Sequence, residues 1–372
     1  MEKKSTHRVE VVPIKLEKHP NADSLSIVRL WGYQVIVKSA DWENESIGAY
    51  IVPDSCVPDS PEYAFLRTCS TCKGVFTAHL SKPGVNCADC GGIGTLPLRI
   101  TDRRIRVRKF RKEISQGLLV KAPAGSKIGD DVSDILGITR YTPPEPGSGG
   151  TSLGKTPSYR GPSMYVPDYD VENWYRYGKE TFVDGEYVYL TEKIHGSNWR
   201  AVYSSADKEF FVGSHHRWIR RYQILRPKNR WHALLQWLRI EKPVQVPTDN
   251  VWWRAANLYP EIEEWCRINP DIVLYGEVYG DVQDLKYGYA PGEISLAVYA
   301  MYHLGVYAFT TFKSLPVVPV VAAGPYSDDF VRLYIDGRSL VDGADHIREG
   351  IVIHGVGKTL KAVSDAYLER AK

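Results

Sequence analysis

Apolar and polar residues alternate in a series of short stretches over the first 140 residues. A period of two places the apolar side chains on one face of a β-strand, and turn-forming segments such as "HPNAD" and "WG" separate the stretches. Strands are therefore predicted at "HRVEVVPIKL", "LSIVRL", "YQVIVKSA", "GAYIVP", "RIRVRKF" and "GLLVKA". Many short strands and few helical patterns favour a small β-barrel over residues 1–141.

Residues 142–164 are rich in Pro, Gly and Ser and are predicted to be a linker between two domains. This segment contains "GGTSLGKT" at residues 149–156, which satisfies the phosphate-binding pattern G-x-x-x-x-G-K-[ST]. Such a loop binds phosphate only between a buried strand and the start of a helix. Because neither flank has a strand or helix pattern, we interpret the match as part of the linker.

The pattern becomes mixed in residues 165–372. Strands are predicted at "EYVYLTEK", "WRAVYSS", "EFFVGS", "DIVLYGEVYG", "LAVYAMYH" and "EGIVIHG", and helices at "WHALLQWLRI" and "PEIEEWCRI". Pro260 suits the first turn of the second helix, and Asn269-Pro270 ends it. An α+β domain with much antiparallel sheet is therefore predicted.

Composition adds modest constraints to this picture. A chain of 372 residues is long enough for two domains, and a net charge of +3 restricts any nucleic-acid surface to local clusters. No apolar run is long enough for a membrane span, and the start lacks the pattern of a signal peptide. Six cysteines do not make a disulfide-rich scaffold at this length, so a cytoplasmic location is expected.

Four of the cysteines are spaced as zinc ligands. "CSTC" and "CADC" place Cys69, Cys72, Cys87 and Cys90 in the pattern Cys-x2-Cys-x14-Cys-x2-Cys. Four thiolates suit tetrahedral Zn²⁺ and leave no open coordination position, so a structural ion is favoured over a catalytic one. We expect a zinc ribbon at about residues 66–98, inserted between two strands of the N-terminal module.

"TEKIHGSNWR", residues 191–200, places Lys193 at the end of a predicted strand, before a polar turn. A lysine amine has a reference pKa near 10.4, so it must lose a proton before it attacks phosphorus. Glu277 in "LYGEVYG", Glu349 in "REGIVIHG", and Lys358 and Lys361 in "GKTLKAVS" are candidate partners from later stretches. Carboxylates and a lysine around a nucleophilic lysine suit nucleotidyl transfer with Mg²⁺.

Taken in order, these stretches resemble the nucleotidyltransferase motifs of the ATP-dependent RNA ligases over roughly residues 165–372. "KIHG" resembles the first motif, and His195 is typical of the RNA ligase 2-like branch, where DNA ligases and mRNA capping enzymes have Asp. "LYGEVYG", "REGIVIHG" and "TLKAVS" resemble the third, fourth and fifth motifs. "RIRVRKFRKEISQGLLV" and "HPNADSLSIVRL" resemble the N-terminal OB modules of a distinct RNA ligase branch. The resemblance thus implies an OB-like β-barrel followed by an ATP-grasp-like antiparallel domain.

The resemblance also implies roles for individual residues. A covalent lysyl-AMP would form from ATP with Mg²⁺ or Mn²⁺, then an RNA-adenylate, then a joined 3′-OH and 5′-phosphate. Catalysis would rest on Lys193, His195, Glu277, Glu349 and Lys361, with Glu349 also binding magnesium. Nucleotide contacts would come from Glu192, Ile194, Asn198, Arg217, Tyr299 and Lys358, with His215 and His216 competing with Arg217 for the basic motif.

Two clusters of basic residues are candidates for RNA binding. In "RRIRVRKFRK" a strand would show Arg104, Arg106 and Arg108 on one face and bury Ile105 and Val107 on the other. In "HHRWIRRYQILRPKNRWH" aromatic residues are interleaved with arginines, including Arg220 and Arg221, which suits base stacking and phosphate contact.

Two alternatives to an RNA ligase remain open on the sequence. One is a DNA ligase or a GTP-using capping enzyme, which His195 and the N-terminal position of the OB module disfavour. The other is an inactive ligase scaffold that only binds RNA ends, which the presence of Lys193, Glu277, Glu349 and Lys361 disfavours.

Overall fold

The structure is a computed structural model that describes residues 7–67, 95, 103–141, 158–224, 231, 238, 242, 244–248, 250–309 and 314–370. The chain divides into two compact units, residues 1–143 with 368–372, and residues 144–367. The four cysteines of the predicted zinc site and most of the predicted linker lie outside the described residues. None of the helices in the described ranges is long and apolar enough to cross a bilayer.

Most of the helices and strands in the described part of the first unit are short strands, as the alternating pattern predicted. In chain order its elements are β1 (Glu10–Pro13), β2 (Leu16–Lys18), β3 (Leu25–Leu30), β4 (Tyr33–Lys38), α1 (Ser39–Trp42), β5 (Ile47–Ile51), β6 (Ser55–Cys56), a 3₁₀ helix (Pro61–Leu66), β7 (Arg108–Phe110), β8 (Glu113–Ser115), β9 (Leu118–Lys121) and β10 (Thr139–Arg140).

The strands of the first unit pair in several small sheets. β5 lies between β1 and β9, β3 lies between β2 and β4, and β7–β8 and β6–β10 are two-stranded. Val9, Val11, Ala49, Ile51 and Val57 belong to its apolar core. The predicted closed barrel is not formed by the described residues, because no β-ladder among them joins the two three-stranded sheets.

The second unit mixes helices with longer strands. Its elements are β11 (Glu172–Asn173), α2 (Trp174–Thr181), β12 (Tyr187–Glu192), β13 (Ser197–Ser204), β14 (Glu209–Gly213), β15 (Trp218–Ile219), β16 (Tyr222–Ile224), β17 (Gln245–Pro247), α3 (Val251–Leu258), α4 (Pro260–Ile268), β18 (Val273–Gly280), β19 (Ile294–His303), β20 (Val306–Ala308), β21 (Val320–Pro325), α5 (Asp328–Ile335), β22 (Gly350–Gly355), β23 (Lys358–Val363) and the start of α6 (Asp365–Arg370), whose residues from Leu368 onward belong to the first unit.

Two sheets form the framework of the second unit. One has the strand order β11-β23-β22-β12-β21, and the other has the order β15-β14-β13-β18-β19-β20. All of these pairs are antiparallel except β11 with β23. The prediction of an α+β domain with much antiparallel sheet is confirmed.

Helices α3 and α4 cover the apolar face of the six-stranded sheet. Trp252 and Ile262 from these helices join Trp199, Leu274 and Leu296 from the strands in one buried cluster. The predicted start of α4 at Pro260 is confirmed, since Pro260 occupies the first turn. Most of the other predicted helix, "WHALLQWLRI", lies outside the described residues.

Candidate active site

Lys193 lies where the chain crosses from one sheet to the other. β12 in the five-stranded sheet ends at Glu192, and β13 in the six-stranded sheet begins at Ser197. The backbone N–H of Lys193 still donates to the carbonyl of Gly350 (3.0 Å), so the lysine backbone is held by the first sheet. A Cβ at Gly196 would overlap the carbonyl of Val278, so glycine is required for this crossing.

The side chain of Lys193 is ion-paired with Glu349. Lys193 Nζ lies 2.7 Å from Glu349 Oε1, and the two side chains are 25% and 11% exposed. Burial opposes ionisation of Glu349, but the Lys193 ammonium and the hydrogen bond from His195 outweigh it, and its pKa falls to about 2. Glu349 is therefore a carboxylate at neutral pH, as a ligand for a cation or an amine must be.

His195 touches the same carboxylate from the other side. Its Nδ1 lies 3.3 Å from Glu349 Oε2, and its Nε2 lies 2.6 Å from Asp284 Oδ1. The hydroxyl of Tyr367 is 3.3 Å from Nδ1, and the backbone N–H of His195 donates to Tyr287 (2.7 Å). Burial lowers the pKa of His195, but the hydrogen bond and the charge of Glu349 more than compensate, and the net shift is upward.

Sequence reasoning missed Asp284, Tyr287 and Tyr367. All three are more than 85 positions away from His195 along the chain, and none lies in a motif with a recognisable spacing. Only the packing of the loop after β18 and of α6 brings them to the imidazole.

Glu277 lies in the middle of β18, directly opposite Asn198 on β13 and Ala297 on β19. Burial raises its pKa to about 8, because the charged form loses solvation and Glu349 adds repulsion, although Lys193 acts in the opposite direction. The Glu277 carboxyl is thus mostly protonated at neutral pH in the absence of a ligand, and it can donate as well as accept a hydrogen bond.

Tyr299 is brought to the same region by a β-bulge. Tyr275 pairs with Ala300 and Gly276 pairs with Val298, so Tyr299 is the extra residue between them. A bulge redirects a side chain relative to regular alternation. The Tyr299 hydroxyl accepts a hydrogen bond from Asn198 Nδ2 (2.7 Å), and two of the predicted nucleotide contacts therefore touch each other.

The two lysines of the predicted fifth motif are placed very differently. Lys361 on β23 lies opposite Val352 on β22, which lies opposite Thr191, two residues before Lys193. Because alternate residues share a face, this register directs Lys361 to the face of the sheet that carries Lys193. Lys358 instead pairs with Glu186 (3.0 Å), before the start of β12 and roughly 20 Å along the strand from Lys193. The predicted nucleotide contact by Lys358 is therefore not supported by its position.

Glu192 and Ile194 also differ from the prediction. The buried Glu192 carboxylate accepts hydrogen bonds from Ser339 Oγ and the backbone N–H of Leu340, both at 2.6 Å. Ile194 is 5% exposed and packs in an apolar cluster with Tyr279 and Val318. Both side chains stabilise the fold, because the neighbours of Lys193 in an extended segment point away from the face that carries Lys193. Only the backbone groups of Glu192 and Ile194, and not their side chains, can therefore face a nucleotide.

Arg217 ends a tight turn that begins at Ser214, whose backbone N–H donates to the Arg217 carbonyl (2.8 Å). The two histidines inside the turn face acidic residues, with His216 3.2 Å from Asp168 and His215 3.7 Å from Asp170. Asp168, His215 and His216 offer ligand atoms within 4.8 Å of one another. Asp168 is already paired with the buried Arg200 (3.0 Å), whose positive charge disfavours a metal ion there.

The three predicted RNA-binding arginines of the first unit differ in their exposure and contacts. Ile105 and Val107 are buried as predicted, but the strand β7 begins only at Arg108. Arg104 is paired with Asp54 (2.8 Å) and lies over the ring of Tyr141 (4.2 Å), so it stabilises the fold. Arg106 is half-buried, whereas Arg108 is exposed. The three side chains therefore do not form one uniform basic face.

In the second cluster, Arg220 is exposed and lies over the ring of Tyr159 (5.6 Å). Arg221 is paired with Glu263 (3.2 Å) and lies over Trp253 (4.8 Å). Of these two arginines, Arg220 is the one that is available to a ligand.

Comparisons with known proteins agree with this architecture. Residues 186–364 match the family model for RNA ligase, and residues 8–78 match a model for an OB-fold domain. A comparison with curated proteins gave no match.

Several solved structures of the Naegleria gruberi RNA ligase are similar to this chain. The ligase with PPi has a TM-score of 0.69 and 20% identity, and the alignment covers 99% of each chain. A mutant with ATP and Mn has a TM-score of 0.68 and 19% identity, covering 97% of this chain and 98% of that one. An apo mutant has a TM-score of 0.69 and 19% identity, covering 98% and 99%. At this level of identity the likeness shows a shared fold.

Proposed function

Because residues 186–364 form a domain of the RNA ligase family, we propose that this protein is an ATP-dependent RNA ligase that joins a 3′-OH end to a 5′-phosphate end. The observation that carries the proposal is the ion pair of Lys193 with Glu349 at 2.7 Å, beside His195 on the same carboxylate. Structures of the Naegleria gruberi ligase contain ATP and Mn in one case and AMP and Mn in another, which supports the same nucleotide here.

The reaction proceeds in three steps, of which the first two transfer the α-phosphorus of ATP and the third joins the RNA ends at the 5′-phosphorus. Lys193 Nζ, as the neutral amine, attacks the α-phosphorus of ATP; the N–P bond forms, the nitrogen gives up a proton, and pyrophosphate leaves with the bond electrons. A 5′-phosphate oxygen of RNA then attacks the same phosphorus, and the lysine nitrogen leaves with the N–P bond electrons and takes up a proton. Finally a 3′-OH attacks the activated 5′-phosphorus, loses its proton, and AMP leaves. Catalysis is chiefly positioning and charge stabilisation, because each step is a displacement at phosphorus in which negative charge develops on the phosphate oxygens.

The residues of the site divide these tasks. Glu349 holds Lys193 through their ion pair, and Glu277 would hold the ribose. Lys361, on the same face of the sheet, would balance phosphate charge. The stacking partner of adenine would be Tyr299, which Asn198 orients through a hydrogen bond.

The donor set of the site fits a hard divalent cation such as Mg²⁺ or Mn²⁺. Glu349 is ionised, and its buried Oε2 atom lies 3.3 Å from His195 Nδ1. Asp284, on the other side of the imidazole, presents a second carboxylate that is 65% exposed. Oxygen ligands of this kind suit these ions. When bound, the cation would supply positive charge that stabilises the phosphates and disfavours a protonated lysine.

Covalent labelling tests the proposal directly. Incubation with labelled ATP and Mg²⁺ should give an acid-labile label of about one AMP per chain, because Lys193 is the only residue proposed to attack the α-phosphorus. Lys193→Ala should lose this label, whereas Lys358→Ala, a matched lysine that pairs with Glu186, should keep it. Label that persists in Lys193→Ala would overturn the assignment, and an unlabelled parent would favour an inactive RNA-binding scaffold.

A structural zinc ion is part of the proposal for the N-terminal module. The spacing of Cys69, Cys72, Cys87 and Cys90 supports it. Metal analysis should find about one zinc per chain, and replacing one of these cysteines with serine should lower the thermal stability of the N-terminal module far more than it slows self-adenylylation. A folded protein that contains no metal would exclude the site.

A further inference from the structure

The β7–β8 hairpin carries five consecutive exposed residues: Arg108, Lys109, Phe110, Arg111 and Lys112. Phe110 is 42% exposed, although the exposure of an apolar ring to water is unfavourable in free energy. Lys109 is paired with Glu369 (2.9 Å), which offsets its charge. The tip of the hairpin therefore combines three cationic side chains with one exposed aromatic ring.

The turn of this hairpin has an unfavourable sequence for its conformation. Phe110 pairs with Glu113, which leaves Arg111 and Lys112 as a two-residue loop with φ values of 48° and 78°. Positive φ at both positions is the type I′ turn, for which Asn-Gly is the preferred sequence. Long side chains with a Cβ are disfavoured there. Arg-Lys at this turn therefore lowers local stability. A function of these two side chains would offset that cost.

The backbone of the turn is also held from outside the hairpin. His19 is buried and its Nε2 lies 3.3 Å from the carbonyl oxygen of Phe110. Asn21 Nδ2 donates to the carbonyl oxygen of Arg111 (3.0 Å). These contacts fix the direction in which the tip projects, so the basic and aromatic side chains are presented on a preorganised support.

We propose that this hairpin tip binds single-stranded RNA, with Arg108, Arg111 and Lys112 on phosphates and Phe110 stacked on an unpaired base. The proposal rests on the RNA ligase function above and names a surface of the first unit that holds the RNA substrate. Cationic side chains around an exposed ring are the combination that single-strand binding uses, because phosphates supply charge and every base has a face that stacks. A duplex would offer phosphates but no free base for Phe110.

The conformation of the turn allows a variant that separates binding from folding. Arg111→Asn combined with Lys112→Gly gives the preferred type I′ sequence, so the melting temperature should be equal to or above that of the parent. If the side chains bind RNA, affinity for a labelled 20-nucleotide single strand should fall on the order of tenfold at low salt, and the salt slope should fall by about 1.4 for two lost contacts. Phe110→Leu keeps apolar volume and should lose about fivefold or more through stacking alone.

Lys208 supplies the matched control. It is an exposed basic residue at φ 53° in the turn between β13 and β14. Lys208→Asn should leave both affinity and salt slope unchanged in the same fluorescence anisotropy titration. Unchanged binding in both hairpin variants would overturn the proposal, and so would an equal loss of affinity for a blunt RNA duplex, which would make the tip a general phosphate contact.

Self-adenylylation without RNA keeps this test apart from the proposed function. The hairpin variants should form lysyl-AMP at the rate of the parent, because the nucleotide site is built from other residues. If the parent forms no lysyl-AMP, the ligase function fails whatever the RNA titration shows.

Discussion

At the residue scale, the chemistry of the site depends on one carboxylate with two partners. Glu349 contacts Lys193 at 2.7 Å and His195 at 3.3 Å. The imidazole also lies 2.6 Å from Asp284, so it is oriented from both ring nitrogens. A histidine held in this way between two carboxylates is suited to placing a proton or a hydrogen bond beside a phosphate, where a third carboxylate would repel it.

We therefore predict that His195 matters more for the transfer of AMP to RNA than for the attack on ATP. His195→Ala should retain substantial covalent AMP but seal RNA poorly. Rapid mixing of the pre-adenylylated variant with a 5′-phosphate RNA isolates the transfer step. His195→Asn, which keeps a hydrogen-bond donor but cannot exchange a proton near neutral pH, shows which property is needed. A normal transfer rate, with the defect confined to the reaction with ATP, would contradict this role.

At the element scale, the pairing of β12 with β22 supports the backbone segment that leads to Lys193. Tyr189 lies opposite His354 and Thr191 lies opposite Val352. Thr191 Oγ1 and His354 Nε2 are 2.9 Å apart, and the ring of His354 stacks on Phe309 at 4.5 Å. Burial lowers the pKa of His354 to about 3, so this histidine is a neutral part of the sheet.

This buried histidine predicts a pH dependence of stability. The unfolded chain binds a proton at His354 below about pH 6.5, but the folded chain does not until about pH 3. The free energy of unfolding should therefore fall as the pH falls through this range, by up to about 1.4 kcal/mol per pH unit from this group. In urea titrations, His354→Gln should remove about 2 kcal/mol of the difference between pH 7 and pH 5. An unchanged difference would show that the pKa of His354 in the folded state lies near its ordinary value.

At the scale of the whole molecule, the proposed nucleotide residues all lie in the second unit, whereas the hairpin tip and the predicted zinc cysteines lie in the first. The proposed activation of lysine thus belongs to the second unit, whereas the proposed capture of RNA involves the hairpin tip of the first. Nucleic-acid binding by cationic side chains weakens steeply with salt, because bound counterions are released.

This division predicts different salt responses for the two half-reactions. Raising salt from about 50 to 200 mM should lower sealing of dilute RNA by on the order of tenfold or more, since several phosphate contacts are lost together. Self-adenylylation at saturating ATP should change much less. Parallel gel assays on one preparation measure both, and an equal loss in the two reactions would argue that RNA capture is not the salt-sensitive step.

The sequence by itself determined the residues that carry the proposed chemistry and most of the strands. Alternation reports the face of a strand locally, so β1, β3, β4, β5 and β12 to β14 could be predicted without a partner. Lys193, Glu277 and Glu349 could be chosen because each sits in a short motif whose residue types suit phosphate chemistry. These signals are local, so they can be recognised without knowledge of the fold.

Only the tertiary structure decided which of these residues meet and which others join them. Strand register sent Lys361 toward the face of Lys193 and left Lys358 with Glu186. Packing of distant segments placed Asp284 and Tyr367 on His195 and buried Ile194 in a core. Contacts of this kind depend on sheet order, bulges and loop packing between segments far apart in sequence, and no periodicity within one segment encodes them.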